Sequence, residues 1–133
     1  MIFISKEMVY GEEGIIFLES INQYGIAIIN RKSHPCIYVT FPGVEHFGDY
    51  YQINDYADVH GGFTFLGTLK YSGLVGVWAG WDYAHWMDYL HTSTGIPADP
   101  NDHKWTLDEL VHDAHQCIFQ LEKTLKQQEE RMK

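Results

Sequence analysis

Asp82, His85 and Asp88 stand three residues apart in the run GWDYAHWMD, and upstream of them His60 precedes two glycines in HGGFTF. Carboxylates and imidazoles gathered at one point suit zinc, manganese or iron, and a water left in the shell of such an ion would make a hydrolytic centre. The spacing sets a condition. On a helix, positions i, i+3 and i+6 fan over about 120° of one face and aim at one point. On a strand, Asp82 and Asp88 share a face while His85 points away. A metal centre of His60, Asp82, His85 and Asp88 therefore requires the chain to turn helical just after Asp82. Otherwise Asp82 orients His60 or His85 through a hydrogen bond and no ion is involved.

Other chemistry finds few carriers. The chain has no GxSxG nucleophile elbow and no glycine-rich phosphate loop opening a helix. Cys36 and Cys117 are isolated from each other and from any CxxC pattern, and read as two buried free thiols. His34, His91, His103, His112 and His115 read as turn or helix-surface residues.

The elements that would position the cluster are two strands. In VHGGFTF the odd positions Val59, Phe63 and Phe65 are apolar and the even ones are His60, Gly62 and Thr64. In VGVWAGWDY the odd positions are again apolar, opposite Gly76, Trp78, Gly80 and Asp82. An antiparallel pair keeping both apolar sides together needs partners whose numbers sum to an even value. The preferred register sets His60 against Asp82, Gly62 against Gly80 and Thr64 against Trp78. That leaves a glycine-floored trough holding His60, Gly61, Gly62, Thr64, Gly80, Asp82, His85 and Asp88 as candidate ligand-binding residues. Strand glycines mark the close approach of something, here either the protein's own helix or an aromatic, or a small ligand.

Around these strands, Tyr24–Asn30 and Cys36–Phe41 read as a hairpin across the turn-forming RKSHP. Glu12–Asn22 fits a helix or a strand, and helix is preferred. The end of the chain has apolar residues at Leu107, Leu110, Val111, Ala114, Cys117, Ile118, Leu121 and Leu125, with Thr106 and Glu109 as a capping box. A C-terminal helix over 106–130 follows, its last turns projecting. The expected fold is α+β, an antiparallel sheet of at least four strands in hairpins packed against this long helix, in a single domain over 1–133. Tyr89–Lys104, with Asp99, Asp102, Pro97 and Pro100, is long for a loop and reads as a lid, an acidic recognition loop or an ordinary surface excursion.

Nine Lys and Arg against eighteen Asp and Glu leave a net charge of −9, and between Ser33 and His103 the only basic residue is Lys70. Eight acidic residues share that span, which disfavours direct nucleic-acid binding and favours cations or a basic protein surface. No signal-like or membrane-length apolar segment is present in the sequence, so the expected setting is the cytoplasm without membrane attachment.

The order HPCIYVTFPGVEHFGDYY, ADVHGGFTF, VWAGWDYAHWMDY and a tryptophan-led C-terminal helix resembles a family of small uncharacterised proteins common in phages and prophages. The resemblance covers Arg31 to Leu121. The family's recurring positions correspond to His60, Gly61, Gly62, Thr64, Gly80, Asp82, Ala84, His85 and Asp88, with His46 and Gly48 before them. Trp81 stands where the family has Phe, and Leu66 where it has Ser. The resemblance implies a phage-type setting and, for a phage-encoded chain, the host cytoplasm, but no reaction.

Three functions compete. The leading one is a small acidic accessory protein that binds without catalysis, either inhibiting a host defence component, as an anti-CRISPR or other anti-defence protein does, or holding a small molecule. A structural or assembly role, with the helix end after Leu125 serving a homodimer, comes next. A metal-dependent hydrolase built on His60, Asp82, His85 and Asp88 is the third.

Overall fold

The structure is a computed structural model that describes residues 1–71, 73–91, 99 and 101–131. Residues 92–98 and 100, part of the Tyr89–Lys104 stretch that reads as a lid, an acidic recognition loop or an ordinary surface excursion, lie outside the described residues. Six strands form one antiparallel sheet: β1 Ile2–Ser5, β2 Glu13–Ile21, β3 Tyr24–Arg31, β4 Pro35–Thr40, β5 Phe65–Thr68 and β6 Val77–Asp82, in the order β1-β2-β3-β4-β6-β5. A 3₁₀ turn at Val44–Phe47 and a one-turn helix α1 at Tyr50–Ile53 fill the stretch between β4 and β5, and α2 runs from Leu107 to Arg131. The expected α+β fold, an antiparallel sheet of at least four strands against a long C-terminal helix, holds, and the sheet has six strands.

The hairpin of β3 and β4 forms as expected, with Ala27 opposite Tyr38 and Ile29 opposite Cys36. Helix α2 starts on its expected cap. The Thr106 N–H donates to Glu109 Oε1 at 3.0 Å, and the Glu109 N–H donates back to Thr106 Oγ1 at 3.3 Å. Its stripe of Leu110, Ala114, Cys117, Ile118 and Leu121 is buried against Ile26, Ile28, Ile37, Val39, Ala79 and Trp81 of the sheet.

The preferred helix at Glu12–Asn22 is instead strand β2. Its apolar run Ile15-Ile16-Phe17-Leu18 carries no period because both sheet faces are covered and a bulge lies between Ile15 and Phe17. On the face away from α2, Ala27, Ile29, Cys36, Tyr38 and Trp78 form a second core under Leu69, Tyr71 and Leu74 of the β5–β6 connection. The two cysteines lie in different cores, free and buried. Burial pushes the Cys36 thiol up to about 11 and the Cys117 thiol up as well, so both stay protonated.

The two segments expected to pair do run antiparallel side by side, but not in the expected register and only from Phe65 on. Residues 60–61 make a turn, the strand begins only at Phe65, and Phe65 faces Gly80 while Leu66 faces Ala79, pairs whose numbers sum to an odd value. Phe63 goes into the helix-side core and Phe65 into the other. Both are apolar surroundings, so alternation along VHGGFTF did not report one sheet side. Among the described residues no helix is long and apolar enough to cross a membrane.

Candidate functional site

The HGG segment is a tight turn. Gly62 N–H donates to the Val59 carbonyl at 2.9 Å, and Gly61 and Gly62 both sit at positive φ, 71° and 81°. That conformation favours glycine. Asn54, just after α1, holds the far side: its Oδ1 accepts from the Phe63 N–H at 2.8 Å and its Nδ2 donates to the Phe63 carbonyl at 3.2 Å. Both backbone groups of Phe63 are thus satisfied by one side chain, as a neighbouring strand would satisfy them.

Residues 82–88 are neither helix nor strand beyond Asp82. They close a turn in which the Asp88 N–H donates to the His85 carbonyl at 3.0 Å and the His85 N–H donates to Asp88 Oδ2 at 3.0 Å. Met87 takes φ 72° inside it. The Asp82 carboxylate accepts the Ala84 N–H at 3.1 Å and the Thr64 hydroxyl at 3.3 Å.

Asp88 is the hub. It is 5% exposed, and three donors converge on its carboxylate: His60 Nε2 at 2.8 Å, the His85 N–H, and the Trp105 indole N–H at 2.9 Å. Burial acts to raise the Asp88 carboxyl. The His85 N–H, His60 and Trp105 outweigh it and hold the group below its ordinary value, so it is an ionised acceptor. An ionised carboxylate only accepts, so His60 carries its proton on Nε2, and Nδ1 is the nitrogen left over in the neutral ring.

Aromatic packing fixes the imidazole. His60 lies flat on Tyr83, with centroids 4.6 Å apart and planes 7° apart, and meets the edges of Trp105 at 5.1 Å and His85 at 5.6 Å. The Tyr83 hydroxyl donates to Asp113 Oδ2 at 2.8 Å and accepts from the Trp81 indole at 3.1 Å. Burial first, and Asp113 after it, push this phenol far up and keep it protonated. A chain of contacts therefore runs from the HGG turn through His60 and Tyr83 to helix α2.

The pairing differs from the expected register. His60 joins Asp88, and His85 Nε2 lies 3.2 Å from Asp82 Oδ1, out of line for a hydrogen bond, so that this buried nitrogen has no partner among the described residues. Gly61 belongs here for a steric reason: a Cβ on it would collide with the His85 ring. Gly80 belongs elsewhere. It faces Phe65, and its missing Cβ admits the Tyr38 ring, 2.5 Å from where that carbon would be. An aromatic of the neighbouring strand, not a ligand, fills that space. His46 is exposed and meets Glu45 at 3.6 Å.

The residues do not fit a metal centre. Among the described residues no group of three or more His, Cys, Asp or Glu is placed to hold an ion. The four candidates divide into two pairs, and Asp88 spends both carboxylate oxygens on N–H donors. Three partners escaped the sequence reading: Asn54, Trp105 and Asp113. Only the cap at Thr106 hinted at Trp105, since it fixes where the chain enters α2.

No family model matches the chain, and comparison with curated proteins and with solved structures finds no match.

Proposed function

We propose that this protein acts by binding a basic surface of a partner protein rather than by catalysis. One observation carries the reading: among the described residues, every ion pair within 4 Å is between a carboxylate and a histidine. Carboxylates such as Asp49, Asp55, Asp58, Asp99 and Asp108 are exposed and have no Lys or Arg of the chain against them among the described residues. A net charge of −9 left unneutralised in this way gives a field that attracts Lys- and Arg-rich surfaces and repels phosphate backbones. His60 Nε2 and both Asp88 carboxylate oxygens are taken up by hydrogen bonds within the protein, which suits a clasp better than a reaction centre.

In the phage-type setting that the sequence resembles, the partner is a component of host defence such as a CRISPR nuclease, whose nucleic-acid groove is basic. The test has two arms. Expression in a defended host is expected to restore plaque formation, and affinity capture from that host is expected to retain the defence protein at low salt and release it as salt rises, because exposed charges are screened over about 8 Å at physiological ionic strength. Unchanged restriction of phage sinks the defence partner. Capture that is indifferent to salt sinks the electrostatic reading.

A further inference from the structure

We infer that the turn His85–Asp88 is a docking point, inserting Trp86 and Met87 into an apolar socket of a partner protein whose rim carries Lys or Arg; this rests on the binding reading above. Trp86 is 91% exposed and Met87 63% exposed, side by side at the tip of the turn. Exposed apolar residues are common singly. A tryptophan and a methionine together at a tip built this firmly are not an incidental surface.

The firmness comes from both sides of the turn. On one side Asp88 is held by His60 and Trp105, and His85 by the Asp88 carboxylate. On the other, residues 87–89 run beside the lead-in to α2. The His103 N–H donates to the Met87 carbonyl at 2.8 Å, and the Tyr89 N–H donates to the His103 carbonyl at 2.9 Å. His103 is itself anchored at 2.7 Å to Glu109 in the first turn of α2. The positive φ of Met87 is a conformation that a non-glycine residue keeps only when its surroundings determine it.

A tip prepared in this way loses little conformational entropy on binding, and tryptophan leads the residues that dominate interface energies. The charge around it selects the partner. Asp102 adjoins His103, its N–H bonded to the Asp99 carbonyl at 3.0 Å, and Asp82 opens the turn; the nearby Lys104 lies over the Tyr89 ring, 4.7 Å from its centroid. An apolar tip on a chain of net charge −9, with Asp102 next to the His103 that bonds Met87, complements a basic rim around an apolar socket. It opposes both an anionic lipid surface and a second copy of this acidic chain.

The probe is a displayed library of random twelve-residue peptides, selected in parallel on the immobilised wild-type protein and on Trp86→Ala. Wild type is expected to enrich peptides in which Lys or Arg flanks an aliphatic or aromatic pair. Trp86→Ala is expected to weaken those peptides by about 30-fold or more without moving the thermal midpoint. The doubly neutralised Asp99→Asn, Asp102→Asn protein is expected to bind them several-fold more weakly and with a shallower salt dependence. Cationic peptides that bind Trp86→Ala as tightly as wild type overturn the docking turn and leave the binding reading standing. Wild type enriching no cationic peptide overturns both. Light scattering that finds a dimer dispersed by Trp86→Ala, or vesicles of phosphatidylcholine that retain wild type and not Trp86→Ala, names a different occupant and overturns the proposal.

Discussion

Nε2 of His60 lies 2.8 Å from Oδ2 of Asp88, across twenty-eight residues of chain. This contact ties the HGG turn to the turn that follows β6, and it exists only because each of its two groups is held by something else: His60 by the face of Tyr83, and Asp88 by the Trp105 indole and the His85 N–H. Asp88→Ala leaves three donors without their acceptor in a nearly buried site. A loss of about 3 kcal/mol in stability is expected, read from the urea midpoint at pH 7. Asp82→Ala, at a more exposed carboxylate with weaker contacts, is expected to cost about 1 kcal/mol or less. Equal losses would mean that Asp88 is not the hub.

Gly61 and Gly73 form a matched pair. Both have positive φ, 71° and 82°, but a Cβ at Gly73 meets nothing within 4 Å among the described residues while one at Gly61 collides with His85. Gly73→Ala is expected to cost about 1 kcal/mol from backbone strain alone, and Gly61→Ala about 2 kcal/mol more, since the imidazole must leave its seat. Chemical denaturation gives both values, and the His85 ring resonances should move only in the second variant.

Stability should fall in two separate acid windows. The folded pKa of Asp88 lies below 3.8 and that of His34 below 6.5, the latter because burial disfavours the imidazolium against the opposing charge of Asp82. In each case the unfolded chain binds the proton more readily, so the stabilisation is complete above the unfolded value and lost as pH falls through the folded one. Urea midpoints from pH 8 down to pH 2.5 are expected to show one decline below about pH 6.5, absent in His34→Gln, and another below about pH 4, reduced in Asp88→Asn. A decline on the alkaline side of pH 6.5 that His34→Gln removes would reverse the assigned sign.

Helix α2 should separate cleanly into faces. Leu110 is fully buried and Phe119 is 62% exposed on the same helix. Leu110→Ala is expected to cost 2–5 kcal/mol, roughly the range for a buried leucine that leaves a cavity, and Phe119→Ala about 0.5 kcal/mol or less. Comparable losses at the two positions would mean that the helix packs on another face.

What the sequence made legible follows from where its patterns had one physical meaning. The stripe from Leu107 to Leu125 has a single buried side and a cap at Thr106, so helix α2 was readable almost to the residue. RKSHP between two apolar runs gave the β3–β4 hairpin. The patterns failed where both sides of an element are apolar. Strand β2 and the segment from Val59 to Phe65 contact two cores, so the first shows no period and the second an alternation that does not report one sheet side. The cluster residues were identifiable by type, and His60, Gly61, His85 and Asp88 do come together. Their partners were not, because the choice of Asp88 over Asp82 for His60 depends on a tight turn at 85–88 and on Trp105, neither of which leaves a periodic trace.

The strand order carries a consequence for the order of synthesis. Strands β1 to β4 pair with their neighbours in the chain and can assemble as they leave the ribosome. Strand β5 cannot, because among the described residues its partner in the sheet is β6, which is made after it and must first take its place beside β4. Until Asp82 has emerged, the β4 edge of Cys36, Ile37, Tyr38 and Val39 stays open while more than forty residues beyond it wait. A nascent chain stalled in that interval presents an unprotected apolar edge, the part of this protein most in need of a chaperone.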